Sequence, residues 1–134
     1  MPVIYKIDAE KRTVRTKCVG QVKLQEVIDH LRALAKDPEC PPLLNVFLDL
    51  RETVSLPTAS QISVVINQLG RIRSRIHFGA CAIVTSRDAL FGTMRMFEAR
   101  ADEFFVATRT FRMAAEAEEW LATHHSDRNP QAAS

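Results

Sequence analysis

The apolar and polar positions of this chain follow two different periods, and the first of them predicts a hairpin. The segments VIYKID and KRTVRTKCVG are joined by a polar turn, DAEK. In the second segment Val14, Thr16 and Cys18 alternate with basic residues, so only one face is expected to be buried. This pattern is typical of two antiparallel strands at the edge of a sheet.

From Gln21 onwards, helical and strand patterns take turns along the chain. Apolar residues at three-and-four spacing predict a first helix, which DPECPP ends because proline cannot continue the helical hydrogen bonds. Three later segments are short and mostly apolar, as buried strands are, and a further helical pattern follows each of them. These predicted strands are LLNVFLDL, ACAIVT and EFFVAT.

The starts of the later helices are predicted from residues that open or cap helices. Pro57 suits the first turn of the second helix, with Ser55 or Leu56 before it as the cap. Ser86 is the predicted cap of the third helix. The fourth helix, RMAAEAEEWL, is expected to turn its apolar residues, Met113 among them, towards the core.

The resulting order, β-β-α-β-α-β-α-β-α, predicts one α/β domain. Strands that alternate with helices form a mainly parallel sheet, here five-stranded, with the first strand antiparallel and four helices covering it. The domain is expected to occupy residues 1–124. Residues 125–134 are expected to form a flexible tail, because they lack periodicity.

Composition places the chain among ordinary globular proteins. It has 134 residues, of which 46% are apolar and 25% charged, and its net charge of +2 is too small to indicate a nucleic-acid partner. No apolar run approaches the roughly 18 residues of a membrane span, so no integral membrane segment is expected. The three cysteines are far apart, which fits a reducing compartment, and we expect a cytoplasmic protein.

The ends of three predicted strands carry arginines, which suggest one candidate site. Arg51, Arg87 and Arg109 each have an acid or a hydroxyl nearby, such as Ser86. Because ligands of such sheets bind at the carboxyl ends of the strands, these arginines could hold an anion or a phospho-ligand. The simpler interpretation is that these loop ends are solvated and their hydroxyls cap helices.

Signatures of catalysis and of metal or cofactor binding are missing from the sequence. There is no G-x-S-x-G turn, no phosphate-binding glycine loop, and no nucleophile with a base at readable spacing. The histidines, His30, His77, His124 and His125, have no i, i+4 or cysteine partner. We therefore expect no enzyme, no cofactor and no metal.

Gly92 is unusual inside the third helix, where glycine costs roughly 0.5 to 1 kcal/mol relative to alanine. Met96 shares its ridge. One interpretation is close packing of Gly92 on a neighbouring strand, and the other is an exposed notch for a partner or an apolar ligand.

Taken together, these segments resemble the STAS domain, the SpoIIAA-like fold of the anti-sigma factor antagonists. The resemblance rests on the element order, on VFLDL, on LFGTMRMFE, and on F-x-x-x-x-x-A-x-x-W-L from Phe111 to Leu121. It is most similar to the bacterial STAS-like proteins associated with CRAL-TRIO lipid-binding proteins. The resemblance implies a non-enzymatic binding module that often self-associates.

The antagonists carry an Asp-Ser-Ser-Gly turn whose first serine is phosphorylated by a partner kinase. By resemblance this turn matches Thr58-Ala59-Ser60-Gln61, so the acceptor position is Ala59, which has no hydroxyl. A shift of one residue would bring Ser60 into the acceptor position. Phosphorylation of Ser60 or Ser63 is therefore an alternative hypothesis.

The leading expectation is a non-catalytic module that binds a protein partner or a small lipid or anionic ligand. The site would lie at the start of the second helix, with Thr58, Ser60 and Gln61, and at the arginine-bearing strand ends. A third hypothesis is a structural homodimer that uses Gly92, Met96 and the edge hairpin.

Overall fold

The computed structural model of the chain describes residues 2–127, the last three of them by their backbone alone. This part contains five strands and four helices in the order that the sequence predicts. The strands are β1 (Val3–Asp8), β2 (Thr13–Gly20), β3 (Leu43–Thr53), β4 (His77–Val84) and β5 (Ala107–Phe111). The helices are α1 (Leu24–Lys36), α2 (Ala59–Ile72), α3 (Asp88–Ala101) and α4 (Ala114–Asp127).

The strands form one sheet in the order β1-β2-β3-β4-β5. Only β1 and β2 are antiparallel, and the other three pairs are parallel, as predicted. Each crossover from β2 onwards leads to the neighbouring strand, and all three step towards the β5 edge of the sheet. Because such crossovers are right-handed, α1, α2 and α3 lie on one face of the sheet. The fourth helix covers the other face.

The two faces bury cores of different size. The larger core contains apolar residues of α1, α2 and α3 packed on the sheet. In the smaller core, Ala117 and Leu121 of α4 pack on Phe47, Phe111 and the alanines of β4. Small residues on β4 let the backbone of α4 approach the sheet closely.

Asn45 is a polar residue inside the apolar segment LLNVFLDL, and it is only 1% exposed. Its Oδ1 accepts a hydrogen bond of 2.8 Å from the backbone N–H of Ala80. The register between β3 and β4 shifts at this point, between Leu44 and Val46. The side chain therefore satisfies a buried donor that the irregular ladder would leave unpaired.

The second helix starts later than predicted: α2 begins at Ala59 rather than Pro57. Thr58 is its cap, because Thr58 Oγ1 accepts from the N–H of Gln61 at 3.2 Å and Gln61 Oε1 accepts from the N–H of Thr58 at 2.9 Å. This reciprocal pair is a capping box. The prediction of Ser55 as the cap is wrong, since Ser55 bonds to a different part of the chain, described below.

The third helix also starts later than predicted. Its cap position is Arg87, not Ser86. The backbone N–H of Arg87 donates to Thr85 Oγ1 at 3.4 Å, and this turn leaves Ser86 exposed before the helix.

The last strand and the last helix differ most from the sequence prediction. β5 is Ala107–Phe111, whereas EFFVAT begins at residue 103. Phe105 is buried before the strand, with its ring 4.8 Å from that of Phe78, so this apolar segment anchors a turn. Met113 is 59% exposed because it precedes α4 instead of lying in it. α4 continues to Asp127, and residues 128–134 of the predicted tail lie outside the described residues.

Candidate ligand-binding cavity

A cavity of about 440 Å³ lies between the sheet and the three helices on its larger-core side. Its apolar walls come from Leu24 and Val27 of α1, from Ile62 and Val65 of α2, and from Phe97 of α3. The floor consists of residues of β1, β2 and β3. This volume and this mainly apolar lining are typical of sites for small molecules.

No aspartate, glutamate, lysine or arginine lines the cavity among the described residues. Its polar groups are uncharged or weakly ionising side chains of threonine, serine, glutamine, histidine and cysteine. The cavity therefore offers no formal counter-charge to a ligand.

At one end of the cavity, hydroxyl groups join two connections of the chain. Thr53 Oγ1 donates to the carbonyl oxygen of Gly20 at 2.8 Å. Ser55 Oγ accepts from the N–H of Val22 at 2.7 Å and donates to the carbonyl oxygen of Val22 at 3.2 Å. We call these contacts between residues 20–22 and 53–55 the clasp. The serine predicted to cap α2 thus holds the loop before α2 against the loop before α1.

Arg87 lies next to the clasp and strengthens it. Its Nη1 donates to the carbonyl oxygens of Thr53 and Ser55, both at 3.1 Å. Arg87 is half-buried, and these two bonds direct its guanidinium to the protein's own backbone. It therefore supports the wall of the cavity.

At the other end, Thr16 of β2 and His30 of α1 form a polar pair, with 3.2 Å between Thr16 Oγ1 and His30 Nε2. Nδ1 of His30 is buried and has no hydrogen-bond partner in the described part of the chain. The ring of His30 packs on Tyr5, with 5.1 Å between the centroids. Burial lowers the pKa of His30 to about 4, so the imidazole is neutral at neutral pH.

Cys18 also lines the cavity, which the sequence alone did not indicate. Burial raises the pKa of its thiol to about 11. A thiol and an imidazole that are both kept neutral lack the charges of an activated cysteine–histidine pair.

The three arginines predicted at one rim are not brought into one site. Arg51 lies near the end of β3, where its Nε and Nη2 donate to Asp49 at 3.0 and 2.8 Å. These bonds lower the pKa of Asp49. Arg109 lies within β5, paired with Ala82, and its guanidinium is 5.2 Å from the ring centroid of Phe111. An anion site that uses all three side chains is therefore not formed.

Thr58 and Gln61 at the start of α2 do line the cavity. Ser60 is exposed one residue into the helix. Ser63 donates to the carbonyl oxygen of Ala59 at 3.1 Å and accepts from Arg100 Nη1 at 2.8 Å. The predicted region thus contributes two lining residues and two serines with different surroundings.

Gly92 and Met96 are both exposed on α3, and Met96 is 56% exposed. A Cβ atom at Gly92 would meet no atom within 4 Å, so the interpretation of close packing on a strand is wrong. α3 packs beside β5, whereas the β1–β2 hairpin lies at the opposite edge of the sheet. The residues suggested for one dimer contact are therefore separated by the width of the sheet.

The side chains that the structure describes, those of residues 2–124, contain no group of three or more histidine, cysteine, aspartate or glutamate residues that could hold a metal ion. Over the same range, no helix is both long and apolar enough to cross a membrane.

Comparison with known proteins establishes the class of fold. No family model and no curated protein matches the chain. Among solved structures, the chain is similar to an uncharacterized protein of the DUF3478 family with a SpoIIAA-like fold from Shewanella loihica PV-4. The TM-score is 0.57 at 17% sequence identity, over 89% of this chain and 91% of that chain.

The chain therefore has a STAS/SpoIIAA-like fold, as the sequence resemblance implied. An identity of 17% supports the fold alone. The association with CRAL-TRIO proteins is an expectation that this likeness does not address.

Proposed function

We propose that this chain is a non-catalytic, STAS-like binding module whose ligand is a small, largely apolar molecule held in the cavity beside α2. The observation that carries the proposal is the cavity of about 440 Å³ with mainly apolar walls. The cavity is open to solvent on one side, so water covers its apolar walls when it is empty, and an apolar ligand would remove that surface from water.

The chemistry of the lining supports binding rather than catalysis. Cys18 has a pKa raised to about 11 and His30 a pKa lowered to about 4, which favours the unreactive form of each. The hydroxyls of Thr53 and Ser55 are used by the clasp. The cavity thus offers surface and hydrogen bonds, but no prepared nucleophile or base.

The proposal can be tested with N-phenyl-1-naphthylamine, an uncharged probe that fluoresces in apolar surroundings. We expect saturable binding to the full chain, and at 100 times its Kd the probe should raise the free energy of unfolding by about 2.7 kcal/mol. Val65→Phe should weaken binding about fivefold or more, because the larger ring occupies part of the cavity.

Val64→Phe is the matched control, since Val64 is half-buried on the same helix but does not line the cavity. The control should bind the probe as the unchanged chain does. Equal weakening by both variants, or no saturable binding at all, would count against the proposed function.

A serine-phosphorylation switch is a second candidate, and one contact favours it. Arg100 Nη1 already donates to Ser63 Oγ at 2.8 Å, so a phosphate on Ser63 would meet a guanidinium. Incubation with a kinase-type anti-sigma factor, followed by intact-mass measurement of the chain and of its Ser60→Ala and Ser63→Ala variants, tests this candidate. An unchanged mass removes it.

A further inference from the structure

We propose that the cavity selects an uncharged amphiphile, a molecule with an apolar body and one neutral oxygen acceptor, which Thr16 and His30 hold at the end away from the clasp. The inference rests on the proposed function, because it names the class of ligand that the same cavity takes.

The lining of the cavity carries no formal charge in the described part of the chain. Among the described residues, the lining includes no acidic or basic side chain that could pair with a carboxylate, a phosphate or an ammonium group. A charge that enters an apolar site without a partner loses its hydration and gains nothing comparable. The cavity therefore discriminates against ligands whose polar group is ionised.

The polar side chains of the lining differ in how far their hydrogen bonds are already used and in where they lie along the cavity. Thr53 and Ser55 bond to the backbone of the clasp, the side-chain oxygens of Thr58 and Gln61 each accept the other residue's backbone N–H, and Gln21 is exposed within the clasp itself. Thr16 pairs with Leu48 of β3, five residues before Thr53, which corresponds to roughly 15 Å along a strand. The Thr16–His30 pair therefore lies at the other end of the cavity.

The direction of the hydrogen bond between His30 and Thr16 decides which proton is left for a ligand. Nδ1 of His30 is buried without a partner in the described part of the chain, and a buried N–H tolerates that less well than a lone pair does. The proton then belongs on Nε2, which donates to Thr16 Oγ1 across 3.2 Å. The Thr16 hydroxyl keeps its own proton, and a carbonyl or hydroxyl oxygen of a ligand would accept it.

The test compares four ten-carbon compounds as competitors of N-phenyl-1-naphthylamine on the full chain at pH 7.5. They are 1-decanol, 2-decanone, decanoate and decylammonium, which share an alkyl chain and differ in the charge of the polar group. We expect 1-decanol and 2-decanone to displace the probe at concentrations about tenfold or more below those of the two ions.

Two variants test whether Thr16 and His30 hold the polar group of the ligand. Thr16→Val, which keeps the shape of the side chain, and His30→Phe, which keeps a ring beside Tyr5, should each weaken 1-decanol binding about fivefold more than they weaken binding of the probe. Thr110→Val is the matched control, because its hydroxyl is buried as well but lies outside the cavity. Circular dichroism checks that each variant folds. If His30→Phe does not fold, Thr16→Val alone tests the role of the pair.

The outcomes separate this inference from the proposed function. If decanoate or decylammonium competes as well as 1-decanol while the probe binds, selection for an uncharged ligand is wrong and the binding function stands. If Thr16→Val changes 1-decanol binding no more than Thr110→Val does, the proposal that Thr16 and His30 hold the ligand's oxygen is wrong. If neither the probe nor any ten-carbon compound binds, both proposals fail.

Discussion

The imidazole of His30 occupies a position on α1 where the helical pattern would place an apolar side chain, three residues after Val27 and four before Leu34. It is held between Thr16 and Tyr5 and kept neutral by burial, which lowers its pKa to about 4. In the unfolded chain the same side chain would titrate near its ordinary pKa of about 6.5. The residue therefore links the folding of the chain to pH.

The sign of this link follows from proton binding. Between pH of about 6.5 and about 4 the unfolded chain binds a proton at His30 that the folded chain does not, so the free energy of unfolding falls as the pH falls. The full loss is roughly 3 kcal/mol, from about 1.4 kcal/mol per pKa unit. Urea unfolding at several pH values should show this slope in the unchanged chain and a smaller one in His30→Phe.

His77→Phe provides the control, because His77 is exposed at the start of β4. It should retain the slope of the unchanged chain. A His30→Phe variant with an unaltered slope between pH 6.5 and 4 would show that His30 is not the group responsible.

At the scale of elements, periodicity predicted the order of strands and helices because each apolar face has a core to cover. The start of α2 was missed for a different reason. Ser55 is a good capping residue, but Val22 lies close enough in space to take both of its hydrogen bonds. Such contacts between loops far apart in the sequence are not encoded in any local pattern.

The candidate site was predicted only in part for the same reason. The start of α2 was expected to bind a ligand, and Thr58 and Gln61 do line the cavity. Thr16 of β2 and His30 of α1 also line the cavity and contact each other, and no spacing in the sequence predicts that contact. The arginines were misjudged because β3 and β5 extend past the predicted ends, which places Arg51 and Arg109 inside strands.

The capping box of α2 leads to a prediction at this scale. Thr58→Ala removes the acceptor for the N–H of Gln61 and should lower the free energy of unfolding by about 1 kcal/mol, as loss of a helix cap typically does. Ser60→Ala is the control, since Ser60 is exposed and its replacement should change stability by less than about 0.5 kcal/mol. Chemical denaturation measures both, and equal effects would show that Thr58 does not cap the helix.

At the scale of the whole molecule, the sheet separates two cores that differ in packing. The face covered by α1, α2 and α3 contains the cavity, whereas the face covered by α4 is filled by Phe47, Phe111 and Leu121 with small residues between them. The two apolar clusters have no residue in common in the described part of the chain, and the free-energy effects of such distant substitutions usually add. Stability and ligand binding should therefore be separable by substitution.

Leu121→Ala and Val65→Phe test this separation. Leu121 is 4% exposed in the smaller core, so its truncation should lower the free energy of unfolding by about 2–5 kcal/mol and leave the Kd of N-phenyl-1-naphthylamine within about twofold. Val65→Phe should have the opposite pattern. It should weaken binding of the probe and change the free energy of unfolding little, because the added ring enters space that is already empty. In the double variant the two effects should add to within about 0.5 kcal/mol, measured by denaturation and by probe titration. A large change of probe affinity in folded Leu121→Ala would mean that the two faces are coupled through the sheet, and the division into a structural core and a binding core would have to be abandoned.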